Sequence, residues 1–324
     1  MKSKQESVKY PVRRFFATRS VGAYDLSPDG TELAFVTNMT GATELFRVPA
    51  AGGWPVQLTF DQQNISQAGY SPDGKWLAFL QDEGGDENYQ LFLLPRGGGQ
   101  KDILTLYPQS RHIAFQWSAN SRRLYYTANR RNPRIFDVYR YDLTTGREAL
   151  VINGSEEGDG TVAAVTDNEK ELFLVVCVTN LRYKVYRIDI ARKKPEEITP
   201  GRETGAECTV HAAQWVASQR RLYFLTNLDS DVHGIGALQM PQARFAWHRQ
   251  APGADISDLA VSRDGRAIAW SENRSGTLNA SLEQGGKVRR LSHGLSTAVS
   301  LQFSRNGKVL SSVRSSPTAP HDIF

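Results

Sequence analysis

The chain has 324 residues, 40% of them hydrophobic and 23% charged, with a formal charge of +5. That balance describes a folded globular protein and excludes a disordered or fibrous one. The basic excess excludes little else: arginine pairs such as Arg122-Arg123 and Arg220-Arg221 are scattered, and no basic stripe carries the interleaved aromatics of a nucleic-acid interface.

The first 16 residues, MKSKQESVKYPVRRFF, read as an N-terminal extension. They are charged and lack both an apolar h-region and a small-residue cleavage site, so no signal peptide is expected and the predicted location is cytoplasmic. No later stretch reaches the roughly 18 to 20 apolar residues of a membrane-spanning helix, and no membrane partner is expected. Cys177 and Cys208 sit beside apolar or small residues without metal-ligand spacing, as buried free thiols in a reducing compartment do.

From residue 17 to residue 324 one unit recurs. Residues 24–36 read YDLSPDGTELAFV and residues 68–80 read AGYSPDGKWLAFL. The same register returns as FQWSANSRRLYYT, AAVTDNEKELFLV, AQWVASQRRLYFL, DLAVSRDGRAIAW and SLQFSRNGKVLSS. Anchored on the first turn residue, the copies begin their turns at Ser27, Ser71, Ser118, Thr166, Val216, Ser262 and Ser304, 42 to 50 residues apart. A repeat of this period is the mark of a radial or stacked array.

Each copy has the same parts. A short apolar run enters a Ser-Pro-Asp-Gly type turn, in which Pro28 presets φ, Asp29 bonds nearby backbone and Gly30 accepts a positive φ. An alternating run follows (Leu33-Ala34-Phe35-Val36), then another strand (Glu44-Leu45-Phe46-Arg47-Val48) and a last apolar piece (Val56-Gln57-Leu58-Thr59). Four short strands per copy cannot bury both sheet faces alone, whereas a radial arrangement packs each face on a neighbour. The predicted fold is therefore all-β: a seven-bladed β-propeller of four-stranded antiparallel blades. Its last blade is expected to be incomplete, with strands near residues 299–303 and 308–313 and the start of a third at Asp322-Ile323-Phe324. Two readings follow: residues Val8–Val12 add the missing strand and close the ring, or the chain is the N-terminal portion of something longer. Pro11, which cannot donate to a ladder, favours the second.

The Ser-Pro-Asp-Gly turn before an alternating strand resembles the WD-like repeat of TolB-type propellers. More specifically, Gly84-Gly85-Asp86-Glu87-Asn88-Tyr89-Gln90-Leu91-Phe92 resembles the second blade of the prolyl oligopeptidase family, in its acylaminoacyl-peptidase and dipeptidyl-aminopeptidase branches. The segment Ser316-Pro317-Thr318-Ala319-Pro320-His321-Asp322-Ile323-Phe324 resembles the last blade of that branch. The resemblance implies a propeller that caps an α/β-hydrolase domain and gates short peptides toward a serine triad. These 324 residues contain no G-x-S-x-G elbow and no βαβ alternation, so no catalytic residue is assigned and the chain by itself is expected to be inactive.

The candidate sites follow from this. In the loop 82–88, the carboxylates of Glu87, Asp86 and Glu83 are candidates for pairing with a substrate amine or with an arginine of the hydrolase, against a plain solvated hairpin loop. Gln67, Gln116 and Gln214 are expected on the innermost strands, as a polar wall for the central tunnel. Trp117 and Trp215 precede equivalent turns and are expected in blade packing. Asp229-Ser230-Asp231-Val232-His233 alternates oxygen and imidazole groups but lacks a full ligand set, so a polar turn is expected and neither metal nor cofactor is predicted. The predicted partners are a peptide substrate, reached through a hydrolase domain or subunit, and a possible protein partner. Two alternatives stand beside the peptidase reading: a stand-alone TolB-like scaffold that binds protein, and a propeller enzyme acting on sugars or lactones. The last would need a carboxylate pair or metal cluster on the axis, which the sequence does not display.

Overall fold

A computed structural model describes residues 19–292 and 294–324, together with Pro11 and Arg13. The expected strand at Val8–Val12 and the rest of the 1–16 extension lie outside the described residues, apart from those two. Seven antiparallel sheets follow one another along the chain, at residues 21–57, 65–103, 112–152, 159–197, 210–249, 255–290 and 297–323. The first six have four strands each in sequential order, and the seventh has three. Its strands are Thr297–Phe303, Leu310–Ser316 and Ala319–Ile323, so the third is fuller than Asp322-Ile323-Phe324 suggested.

Six of the seven turns are built by one side-chain device. Ser27, buried completely, accepts the backbone N–H of Glu32 (3.0 Å) through Oγ and donates to Asp29 (2.6 Å). Ser71, Ser118, Thr166, Ser262 and Ser304 accept the N–H five residues on in the same way, at 2.9 to 3.1 Å. Each also donates to the Asp or Asn two residues on. Blade five departs from this. Val216 has no hydroxyl, its turn closes through Gln219 N–H to Val216 O at 3.3 Å, and its side chain joins the core shared with blade six. The anchor position is thus buried in every blade, and polar only where the turn uses it.

The blades pack face to face through separate apolar clusters, one per neighbouring pair. Closure between blades seven and one uses the same device, with Tyr24, Leu26, Phe35 and Phe46 meeting Val299, Val313 and Ile323. Polar contacts fix the register there: Gln302 Nε2 donates to Tyr24 O (2.8 Å), and Asn306 N–H to Pro28 O (3.1 Å). Gly30, at φ +74°, lies so close to blade seven that a Cβ would fall 2.8 Å from Val309. Among the described residues each blade's strands come from one repeat, and the three-stranded last blade is closed against blade one by its face.

Topology then divides the disc into two faces. The connections within the first and second hairpin pairs, such as 27–31 and 50–55, lie on one face (the turn face). The second-to-third strand loops and the links between blades lie on the other (the loop face).

Candidate functional site

The seven innermost strands enclose a central cavity of about 500 Å³. Every one of these strands pairs with the next through an irregular register, as between Val21 and Tyr24 or His211 and Gln214. Such bulges twist the inner strands and re-aim their side chains. Gln67, Gln116 and Gln214 all line this cavity. Two of the three also bridge blades. Gln214 donates to Leu259 O and accepts from Val261 N–H, both at 2.8 Å, and Gln67 makes the same pair of bonds with Phe115 at 3.3 Å. Asp25 accepts Tyr70 N–H and Asp258 accepts Leu301 N–H, each at 2.7 Å. These polar groups satisfy the exposed backbone of the neighbouring innermost strand, an edge no ladder covers. Gln116 has no side-chain hydrogen bond among the described residues and is the glutamine of the three left to face the tunnel.

The enclosure has an electrostatic consequence. Burial pushes the Asp25 carboxyl up to about 7, against the lowering effect of its bonds from the Tyr70 and Leu26 backbone. Burial raises Asp258 for the same reason.

At the turn face the tunnel mouth is crossed by two side chains that each follow an anchor residue. Arg263 of blade six reaches Asp167 of blade four (2.7 Å), and Arg305 of blade seven donates to Ala119 O of blade three (3.3 Å). Sequence reading missed this latch. Stacking the seven copies one residue past the anchor would have exposed it, because that column reads Pro28, Pro72, Ala119, Asp167, Ala217, Arg263, Arg305.

On the loop face, the three acidic candidates separate by role. Asp86 is bound into its own loop, accepting Asn88 N–H (2.9 Å) and Glu83 N–H (3.4 Å), and the Asn88 bond holds its carboxyl below the usual range. Glu83 and Glu87 are exposed, and their carboxylates have no hydrogen-bond partner among the described residues. Glu87 sits at φ +60°, in the left-handed region that non-glycine residues seldom occupy. Asp82 is buried and accepts Asn64 N–H (2.9 Å), which pins the loop base to the first strand of the blade.

His233 belongs to an arrangement the sequence did not suggest. Its Nδ1 lies 2.9 Å from Asp255 and its Nε2 2.8 Å from Thr209 Oγ1. The order resembles an acid–imidazole–hydroxyl relay, but Thr209 is only 5% exposed and also donates to Asn227 Oδ1 (3.1 Å). It ties blade five to blade six. Among the described residues no group of three or more His, Cys, Asp or Glu side chains is placed to hold a metal ion.

The loop face also exposes large apolar side chains at its tips: Phe60, Leu106, Leu181 and Leu295, each more than 70% accessible. They come from the links after blades one, two and six and from a hairpin of blade four.

Fold and repeat chemistry together define the class as a seven-bladed β-propeller, and the family profile described as the TolB beta propeller domain matches residues 14–166. Over part of its length it is similar in sequence to peptidases. It is 28% identical over 145 residues to dipeptidyl aminopeptidase BIII of Pseudoxanthomonas mexicana, a stretch that is 43% of this chain and 20% of that protein. A prolyl endopeptidase structure superposes with a TM-score of 0.75 at 17% identity, covering 95% of this chain and 48% of the other. An oligogalacturonate lyase from Vibrio parahaemolyticus superposes equally well, with a TM-score of 0.75 at 12% identity over 95% and 90% of the two chains. At such identities the superpositions establish the fold alone. The chain therefore spans about half the length of the prolyl endopeptidase and aligns with a fifth of the aminopeptidase.

Proposed function

We propose that this chain is the propeller portion of a prolyl oligopeptidase-type serine peptidase, restricting which peptides reach a hydrolase domain or subunit. The alignment with dipeptidyl aminopeptidase BIII carries the reading. The apolar tips at Phe60, Leu106, Leu181 and Leu295 support it, since large exposed apolar side chains on one face suit a covering domain. A hydrolase seated there would face Glu83 and Glu87, the free carboxylates of the loop, which are suited to pairing with a peptide's α-amine. Selection would come from exclusion by size and from that charge pairing together.

The isolated chain and its complex with a hydrolase domain or subunit encoded beside it test the proposal. With aminoacyl and acyl-peptide chromogenic substrates, the chain alone should give no turnover and the complex should cleave short peptides but not folded proteins. Leu106→Ser with Leu295→Ser should weaken the association at least tenfold while moving the chain's own stability by no more than about 0.5 kcal/mol. Turnover by the isolated chain that a serine-directed organophosphonate abolishes would sink the claim that it is non-catalytic. A second reading, a stand-alone binding scaffold, draws on the TolB-type family match. It gains if no hydrolase segment is encoded nearby and the tips capture a different protein.

A further inference from the structure

The tunnel mouth on the turn face brings two guanidinium groups and an unpaired indole N–H together. Arg263 and Arg305 both line the tunnel cavity and the adjoining cavity of about 340 Å³, which also holds the carboxylates of Asp167 and Asp264, the latter bound into its own turn by Ser262 Oγ (2.7 Å) and Arg266 N–H (3.0 Å). Asp167 pairs with Arg263, both side chains being more than 40% exposed, an arrangement that contributes little to stability and is easily rearranged. Arg305 is left with a carbonyl oxygen at 3.3 Å and has no carboxylate within 4.0 Å among the described residues. Trp215 lines both cavities, and its Nε1 is buried with no acceptor. The equivalent tryptophan of blade three, Trp117, shows how such a group is normally satisfied, since its Nε1 donates to Gly69 O (3.3 Å).

We infer that the turn-face mouth of the tunnel, between Arg263, Arg305 and Trp215, is an oxyanion-binding site that takes a carboxylate. A carboxylate between the two guanidinium groups would replace a long bond to the uncharged Ala119 O with shorter guanidinium–carboxylate bonds in which both partners are ionised. Its charge would also offset the burial and the Arg263 charge that together lower the Arg305 pKa. The indole N–H would gain the acceptor it lacks. Gln302, in the same tunnel wall, carries a buried Oε1 with no donor, which suits a ligand that brings an N–H beside its carboxylate. The ligand chemistry is therefore the C-terminus of a short peptide, with a free small oxyanion sharing the charge but not the N–H. The site does not depend on a hydrolase and is tested on the chain alone.

Titration calorimetry with Gly-Gly-Gly, its C-terminal amide and inorganic phosphate separates these sources. The acid form should bind at least tenfold more tightly than the amide and weaken as salt rises from 20 to 300 mM. Arg305→Gln, which keeps a donor for Ala119 O but loses the charge, should weaken the peptide at least tenfold, and Trp215→Phe several-fold. Phosphate binding as tightly as the peptide, with the same loss in Arg305→Gln, would establish the oxyanion site and overturn the peptide terminus as its ligand. Equal affinity for acid and amide, no binding of any probe, or unchanged affinity in an Arg305→Gln protein of native melting temperature would overturn the site.

Discussion

The two faces of the disc are built by opposite means. On the turn face six of seven blades repeat one hydroxyl-capped turn, and arginine side chains close the middle. On the loop face the connections range from two residues, as at 180–181, to twelve, as at 198–209, with no shared motif, and the tips carry Phe60, Leu106, Leu181 and Leu295 into solvent. Trp54 is the large apolar side chain most exposed on the turn side, and it lies out at the circumference of blade one. Repetition here serves stability, because the same buried serine satisfies the same backbone group again and again. Irregularity leaves the loops free to differ without disturbing the blades.

The loop face is not merely decorative surface on a rigid base, and its largest test lies under the tips of blade three. Arg130, about 9% accessible, stacks over Tyr107 (3.6 Å) and Tyr139 (4.4 Å) and is bound by Glu148, which also accepts the Tyr126 hydroxyl. His112, fully buried beside it, is pushed down to about 3 by burial and then by the Arg130 charge. Glu148→Ala leaves a buried guanidinium without its carboxylate and should cost about 3 to 5 kcal/mol in a chemical-denaturation experiment. A loss below about 1 kcal/mol would mean that this face carries no structural load of its own.

On the turn face the expected effect is smaller and differs by blade. Ser118→Ala removes, at a fully buried position, the acceptor of Arg123 N–H and should cost about 1 to 3 kcal/mol. Val216→Ser puts that hydroxyl into blade five, where the turn does not use it and the core does. It should destabilise by a similar amount. If Val216→Ser stabilises instead, the anchor hydroxyl is a general device and blade five is simply missing it.

Much of this was legible in the residues and some was not, for physical reasons. The turn is local, so Ser27, Asp29 and Gly30 announced it, and the observed bonds and the +74° φ are those its chemistry demands. Val216 was located only by spacing, because burial and not turn chemistry holds that position. Closure of the ring was not legible: it depends on faces that meet across 276 residues, as Tyr24 does with Ser300. The tunnel glutamines were placed by register, but a strand pattern cannot tell a polar wall from a bridge to the next blade. The Arg130–Glu148 and His233–Asp255 pairs join separate strands, 18 and 22 residues apart, with no motif to mark them.

Asp25 sits where the two faces' regimes meet, on the tunnel wall two residues before the Ser27 turn. Its folded-state value near 7 lies above the 3.8 of an ordinary aspartate. The unfolded chain therefore releases the proton first as pH rises. The stability that the protonated carboxyl supports is complete below about pH 4 and is lost between about 4 and 7. A full displacement of that size corresponds to about 4 kcal/mol, and partial exposure to the tunnel reduces the expected effect to about 1 to 2 kcal/mol. Asp25→Asn keeps an acceptor for Tyr70 N–H without an ionisable group. It should match the parent protein at pH 4 and exceed it by that amount at pH 8, read as the difference in unfolding free energy. A gain equal at both pH values would trace the effect to packing, and a loss at pH 8 would show that the charged carboxylate is held by the tunnel after all.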